Sequence, residues 1–88
     1  MIKVLYFASL REALGVAAEE VDVSVAVAGD VDVNVAALRR QLAARGDAWQ
    51  ALLTTKNLRA AVNQRLVDDA AVVRDGDEVA FFPPVTGG

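Results

Sequence analysis

The sequence contains neither cysteine nor histidine. Without cysteine the chain can form no disulfide and offers no thiolate nucleophile, and without either residue it lacks the usual zinc ligands. The absence of histidine also removes the commonest acid–base catalyst. The serine and threonine hydroxyls have only carboxylates or lysines as bases, so no catalytic constellation is visible. We therefore expect the chain to bind no metal and no cofactor of its own.

Clustered basic residues and long apolar runs are missing as well. The nine lysines and arginines are scattered and the net charge is −3, which disfavours nucleic-acid binding. No segment approaches the roughly 20 apolar residues that span a bilayer. Arg11 and Glu12 interrupt the apolar start before it could act as a signal peptide. We expect a cytoplasmic protein with no nucleic-acid and no membrane partner.

What is present is a chain of 88 residues, 55% of them hydrophobic, which suits one domain with a modest core. Residues 2–8 are β-branched and aromatic and predict a buried first strand, and residues 77–82 predict the last. From Glu19 to Val27, valines alternate with small or polar residues, which predicts a half-exposed strand. Shorter strands are expected at 58–63, 66–67 and 72–73, and a turn through Gly76.

One long helix is predicted from Val35 to Arg45. Asn34 is a good N-cap, and Gly46 is placed to end the helix in a left-handed conformation. Val35, Leu38 and Leu42 recur at helical spacing and face the core, whereas Arg39, Arg40 and Gln41 are expected outside.

Two shorter helical segments are also predicted. Ser9 and Glu12 have the spacing of a capping box, which would start a helical turn over 10–14 that stops at Gly15. The apolar residues around Trp49 indicate a second short helix, over 49–53, packed on the same core.

This order of elements predicts an α+β fold of the β-grasp, or ubiquitin-like, type: a mixed sheet with one main helix across one face. Parallel pairing of the first and last strands at the centre of the sheet would explain why both are apolar. We expect a β-grasp domain at 1–82 and a flexible, extended C-terminal tail at 83–88.

Side-chain alternation divides the strands into a core face and an open face. If the helix covers the face that carries Ile2, Val4 and Tyr6, then Phe7 and Phe82 lie on the open face near the root of the tail. Leu66 could join them from the neighbouring hairpin. Exposed aromatic patches usually mark partner sites, so Phe7, Leu66 and Phe82 are predicted to form a partner patch, with cover by an edge loop as the alternative.

The clusters of acidic residues are more typical of solvent-exposed loops than of metal-binding or catalytic sites. Asp30, Asp32 and Asn34 fit the first ligands of a calcium loop, but Val35 and Gln41 stand where glycine and glutamate are needed. The remaining acidic pairs, Asp68-Asp69 and Asp75 to Glu78, are most simply interpreted as solvated turns.

The tail has the most specific composition in the chain. Pro83 and Pro84 cannot continue a strand and favour an extended exit, followed by Val85 and Thr86. Gly87 and Gly88 have no Cβ, so the end could enter a slot too narrow for other dipeptides. Its one reactive group would be the carboxylate of Gly88.

Three segments of the sequence, including the tail, resemble a known family. The run from Asp75 to Gly88 is similar to the C-terminus of the small, sulfur-carrying subunits of molybdopterin synthase, the ubiquitin-like MoaD family. Residues 1–8 with Arg11-Glu12 resemble the start of that family, and 60–64 its central strand. The segment from Val25 to Asp32 looks longer than the usual link into the helix.

The resemblance implies a function. An ATP-dependent activating enzyme would adenylate Gly88, and a persulfide donor would convert it to a thiocarboxylate. The loaded tail would enter the large, catalytic subunit of molybdopterin synthase and donate sulfur to cyclic pyranopterin monophosphate in molybdenum cofactor biosynthesis. The resemblance further implies a heterotetramer in which ATP serves the activating enzyme and catalytic side chains belong to the large subunit.

Three other functions fit the same features. The chain could carry sulfur for thiamine or tRNA thiolation, act as a ubiquitin-like modifier joined to lysines through Gly88, or be a β-grasp binding module with an incidental tail. The run Pro83-Pro84-Val85-Thr86 before the glycines favours the molybdopterin synthase subunit.

Overall fold

The computed structural model describes residues 1–22 and 33–84. Within these residues, five strands form one mixed sheet in the order β2-β1-β7-β4-β5, and two short strands, β3 and β6, pair separately. The strands are β1 (Ile2–Tyr6), β2 (Ala18–Val21), β3 (Val33–Asn34), β4 (Arg59–Val62), β5 (Arg65–Val67), β6 (Val72–Val73) and β7 (Glu78–Phe82). The helices are α1 (Ala8–Leu14), α2 (Val35–Ala43) and α3 (Ala51–Thr54), with a 3₁₀ turn at Ala48–Gln50.

The first and last strands form the centre of the sheet, as predicted. β1 and β7 run parallel, with Val4 opposite Val79 and Tyr6 opposite Phe81. β2 and β4 flank this pair in antiparallel fashion. The strand order, the parallel centre and the helix on one face confirm the β-grasp topology.

Helix α2 covers one face of the sheet. Asn34 is its N-cap, and the Asn34 Oδ1 accepts a hydrogen bond of 2.8 Å from the Ala37 N–H. Val35, Leu38 and Leu42 are buried in one core with the inward residues of β1 and β7. The predicted C-terminus is wrong: the helix ends at Ala43, and the capping residue Ala44 stays right-handed. Gly46 does not adopt a left-handed conformation, because the chain turns directly into the 3₁₀ segment.

The predicted capping box at the start of α1 is also wrong. The helix begins at Ala8, its N-cap is Phe7, and no side chain caps it. Ala8 turns the chain out of β1 with a positive φ of 55°. The Leu10 and Arg11 N–H groups donate to the Phe7 carbonyl at 3.2 and 3.4 Å, so the first helical turn closes on Phe7 and not on Ser9. The predicted stop is confirmed, since Gly15 is left-handed with φ 75°.

An aromatic cluster joins β1, β7 and the 3₁₀ turn. The Tyr6 ring lies edge-on to Trp49 at 5.6 Å and stacks with Phe81 at 6.4 Å. Of the two leucines expected in the second short helix, Leu52 is fully buried and Leu53 is exposed. Val21, the first residue of the predicted valine alternation, is buried. The later valines of that pattern, Val23, Val25 and Val27, lie outside the described residues. The rest of the 25–32 link, including Asp30 and Asp32, lies outside them as well.

The β4–β5 hairpin is closed by a two-residue turn, Asn63-Gln64, in which both φ angles are positive, 51° and 69°. Asn63, predicted to end the strand, is therefore the first turn residue. Positive φ at both positions is typical of a type I′ turn, for which Asn-Gly is the preferred sequence. Asn63 tolerates this geometry, whereas Gln64 has a Cβ that disfavours it.

We therefore expect Gln64→Gly to stabilise the protein. Removing the Cβ relieves the left-handed strain, and the gain should exceed the entropy cost of glycine by about 0.5–1 kcal/mol. The measurement is the urea midpoint of unfolding, with Gln64→Ala as the control because alanine keeps the Cβ. Equal midpoints for the glycine and alanine variants would contradict the assignment.

Candidate partner surface and tail root

The second face of the sheet carries an apolar row that crosses four strands. Leu5 on β1 pairs with Ala80 on β7, Ala80 pairs with Ala61 on β4, and Ala61 pairs with Leu66 on β5. The first three are half-buried and Leu66 is 61% exposed. No described helix covers this face, because the buried residues of α1, α2 and α3 pack in the core on the other side.

Phe7 and Phe82 lie next to this row, at the end of the sheet where the tail begins. The Phe7 N–H donates to the Phe81 carbonyl at 3.2 Å, which continues the β1–β7 register and sets Phe7 beside Phe82. Phe7 is 45% exposed and Phe82 is half-buried. The predicted alternation is thus confirmed, while partner binding by these residues stays a prediction.

The three predicted patch residues do not form one tight cluster. Leu66 lies two strands from β7, a lateral spacing of roughly 10 Å, and pairs within the neighbouring row. Leu5, Ala61 and Ala80 link Leu66 to the two phenylalanines. Sequence reasoning left these three out of the patch, although the two-residue period that selected Phe7 and Phe82 also selects Leu5 and Ala80. We call the six residues together the open-face patch.

Charged residues border the open-face patch on both sides. Toward the far end of β1, Lys3 lies between Glu20 of β2 and Glu78 of β7. At the tail end, the exposed Arg59 pairs with Phe82. An apolar centre with a charged rim is the usual composition of a protein–protein interface.

The root of the tail is formed by the two prolines that follow β7. Pro83 and Pro84 come after β7 and are half-buried; neither can donate to a strand ladder, so the sheet stops there. Pro84 forms one wall of a cleft of about 430 Å³, together with Arg59 and Asp68. Val85, Thr86, Gly87 and Gly88 lie outside the described residues, so the extended exit stays a prediction.

Arg39 also lines this cleft and is fixed by several hydrogen bonds. Its guanidinium donates to the Leu52 carbonyl at 3.1 and 2.7 Å and to both carboxylate oxygens of Asp69 at 2.8 Å. The Asp69 carbonyl in turn accepts from the Ala36 N–H at 3.0 Å. The prediction that Arg39 faces solvent is wrong, since its side chain is only 14% exposed. Arg39 ties α2, α3 and the β5–β6 loop together beneath the tail root.

The side chains with shifted pKa values do not belong to the open-face patch. Burial, reinforced by the Glu19 carboxylate, raises the pKa of Tyr6, whose hydroxyl donates to Glu19 at 3.0 Å on the core side. The Asn63 side chain and the Arg74 N–H lower the pKa of Asp77, beside the hairpin turn. Residues 1–22 and 33–84 contain no group of three or more potential metal ligands.

Comparisons with known proteins agree with this geometry. The sequence is 52% identical over 88 residues to the molybdopterin synthase sulfur carrier subunit of Escherichia coli, with 100% of both chains covered. The structure resembles SAMP1, a small archaeal modifier protein of Haloferax volcanii, with a TM-score of 0.75 at 26% identity, covering 99% of this chain and 98% of that one.

A third relative shares the fold. It comes from a Helicobacter pylori complex of subunits 1 and 2 of molybdopterin-converting factor, with a TM-score of 0.64 at 22% identity, covering 99% of this chain and 97% of that one. The sequence also matches the ThiS family over residues 4–88. On this match, and on the full-length identity to the E. coli subunit, the chain belongs to the ThiS family.

Proposed function

We propose that this protein is the sulfur carrier subunit of a molybdopterin synthase and holds sulfur as a thiocarboxylate on Gly88. The observation that carries the proposal is the 52% identity to the E. coli sulfur carrier subunit, which extends over the whole of both chains. The geometry supports it, because the open-face patch reaches the root of the Gly-Gly tail. A partner on that face would be placed to receive the tail.

The proposed chemistry takes place on the tail carboxylate. A carboxylate oxygen of Gly88 attacks the α-phosphorus of ATP in an activating enzyme, releasing pyrophosphate and leaving an acyl adenylate. A donor persulfide then displaces AMP from the acyl carbon, and cleavage of the S–S bond by a donor thiol leaves the thiocarboxylate. The chain contributes no cysteine or histidine to these steps. ATP is bound by the activating enzyme, and this chain binds no cofactor.

The proposed partners are the activating enzyme and the large synthase subunit, with which the chain forms a heterotetramer. The H. pylori complex of subunits 1 and 2 supports a large-subunit partner. In that assembly this chain is the small subunit of a sulfurtransferase whose acid–base groups belong to the large subunit, and cyclic pyranopterin monophosphate receives the sulfur. We place the assembly in the cytoplasm. Among the described helices, none is long and apolar enough to cross a membrane.

A ubiquitin-like modifier is the second candidate, favoured by the similarity to the archaeal modifier protein SAMP1. Both functions begin with adenylation of Gly88, so the acceptor distinguishes them. A carrier loses its sulfur to a pterin and is recovered unchanged, whereas a modifier becomes attached to a lysine through an amide. Intact-mass analysis after turnover with pyranopterin substrate separates the two outcomes.

The tail is expected to be essential for sulfur loading. Deleting Gly88, or adding one residue after it, should abolish thiocarboxylate formation because the adenylated carboxylate is displaced. The measurement is intact mass after incubation with activating enzyme, ATP and a sulfur donor; the native chain should gain the mass difference between sulfur and oxygen. The melting temperatures of both variants should match that of the native chain. A loaded, active extended variant would contradict the carrier function.

The open-face patch is expected to supply the binding affinity. Phe82→Ala should weaken binding to the large subunit by about 1–3 kcal/mol, the range for a buried aromatic anchor. Leu53→Ala is the matched control, because Leu53 is 47% exposed and lies on α3, on the helix side of the molecule. Titration calorimetry should show reduced affinity for Phe82→Ala alone. Equal affinities would remove the patch from the interface.

Gly87 is expected to affect turnover more than affinity. A Cβ at this position adds bulk inside the partner's channel and restricts φ, while the body of the protein keeps its contacts. Misplacing the sulfur can cost on the order of 100-fold in rate. Single-turnover product formation with thiocarboxylated Gly87→Ala, beside a binding titration, measures both quantities. A native rate would show that the channel has room for the Cβ.

A further inference from the structure

Strand β5 forms one of the two edges of the main sheet. The backbone N–H and C=O of its middle residue, Leu66, are unpaired. Val62 and Arg65 flank the two-residue turn and therefore form a hydrogen-bonded pair. The next pair, Ala61 and Leu66, is then a pair without mutual hydrogen bonds. The N–H and C=O of Leu66 point away from β4, and residues 1–22 and 33–84 offer them no backbone partner.

A groove lies beside this edge on the core face of the sheet, the face opposite to the open-face patch. It measures about 500 Å³ and is lined by apolar residues of β4, β5 and β6, among them Val62, Val67 and Val72. Arg65 and Arg74 also line it. Arg65 pairs with Val62, so its side chain lies on the groove side, opposite to that of Leu66.

The charge of this groove is positive. Neither Arg65 nor Arg74 makes an ion pair within the described part of the chain. The one carboxylate in the groove, Asp77, is engaged: its Oδ1 accepts from the Asn63 amide at 3.0 Å and its Oδ2 from the Arg74 N–H at 2.8 Å. Arg74 also acts electrostatically on Asp77, so the groove keeps an excess of positive charge beside the unpaired strand edge, two guanidinium groups against one carboxylate.

From these observations we propose that β5 is a strand-addition site for an extended, acidic segment of a partner protein. The segment hydrogen-bonds to the N–H and C=O of Leu66 and so adds a strand to the sheet. Its alternate side chains point to opposite faces. Acidic side chains on one face meet Arg65 and Arg74 in the groove, and apolar side chains on the other lie beside Leu66.

The chain's own acidic edge is a poorer occupant than a partner segment. The other edge strand, β2, carries Glu19 and Glu20, but Glu19 is occupied by both a bidentate contact to Arg45 at 2.8 Å and the Tyr6 hydroxyl. The proposal uses neither the tail nor its sulfur chemistry, so it can fail or succeed independently of the proposed function.

The test uses the full chain and a short, end-capped peptide of alternating glutamate and valine. Titration into isotope-labelled protein, followed by NMR, should shift the amides of residues 65–67 and Arg74. The Leu66 N–H, which has no backbone partner in the described part of the free chain, should gain protection from hydrogen exchange. A peptide with lysine in place of glutamate is the control for charge and should bind at least about 10-fold more weakly.

Charge reversal in the protein completes the design. Arg65→Glu combined with Arg74→Glu should weaken glutamate-peptide binding by about 10-fold or more. Arg11→Glu combined with Arg40→Glu changes the net charge equally on exposed helical residues and should bind normally. Dispersed amide spectra confirm that each variant is folded.

Four results of the peptide experiments would overturn the proposal. They are equal binding of the lysine peptide, unchanged affinity in the Arg65→Glu, Arg74→Glu variant, shifts centred on Phe7 and Phe82, and no binding at the solubility limit. Concentration-dependent shifts of residues 65–67 without peptide would assign the edge to a second copy of this chain, and so would also refute the partner segment.

Discussion

The structure depends on the burial of one face of the central strands against α2. Tyr6 and Phe81 are almost completely buried there, and burial of such a side chain is worth about 1.5–3 kcal/mol. Because side chains alternate along a strand, slipping β7 by one residue would turn Val79 and Phe81 to the open face and place Glu78 against the core. The hydrophobic core thus fixes which residues reach the open face, including Phe7, although those residues contribute little to the core themselves.

Where local chemistry decides the conformation, the sequence was sufficient to predict it. The alternation in β1 and β7, the Asn34 cap and the left-handed Gly15 follow from neighbours within a few residues. The errors arose where distant residues decide. Arg39 is drawn inward by the Leu52 carbonyl and by Asp69, which are far apart in sequence, and no local pattern in α2 signals either partner.

The error at the start of α1 also involves a distant residue, because the Phe7 N–H donates to the Phe81 carbonyl at 3.2 Å and keeps Phe7 in the sheet. A Ser-x-x-Glu spacing predicts a capping box, but the backbone leaves β1 through Ala8 with positive φ, and this sets the start of α1 before Ser9. The open-face patch was predicted in part: its two phenylalanines stood out by size, whereas Ala61 and Ala80 attract no attention until strand register places them in one row. Small residues at an interface are visible only in the assembled sheet.

The parallel pairing of β1 with β7 has a consequence for how the chain folds. These neighbours at the centre of the sheet are separated by most of the sequence, so their contact closes a long loop and raises the contact order. During synthesis, Ile2–Tyr6 leaves the ribosome long before Glu78–Phe82 exists. A nascent chain can pair β1 with β2 early, but the other edge of this apolar strand stays open, and the central sheet incomplete, until β7 has been made.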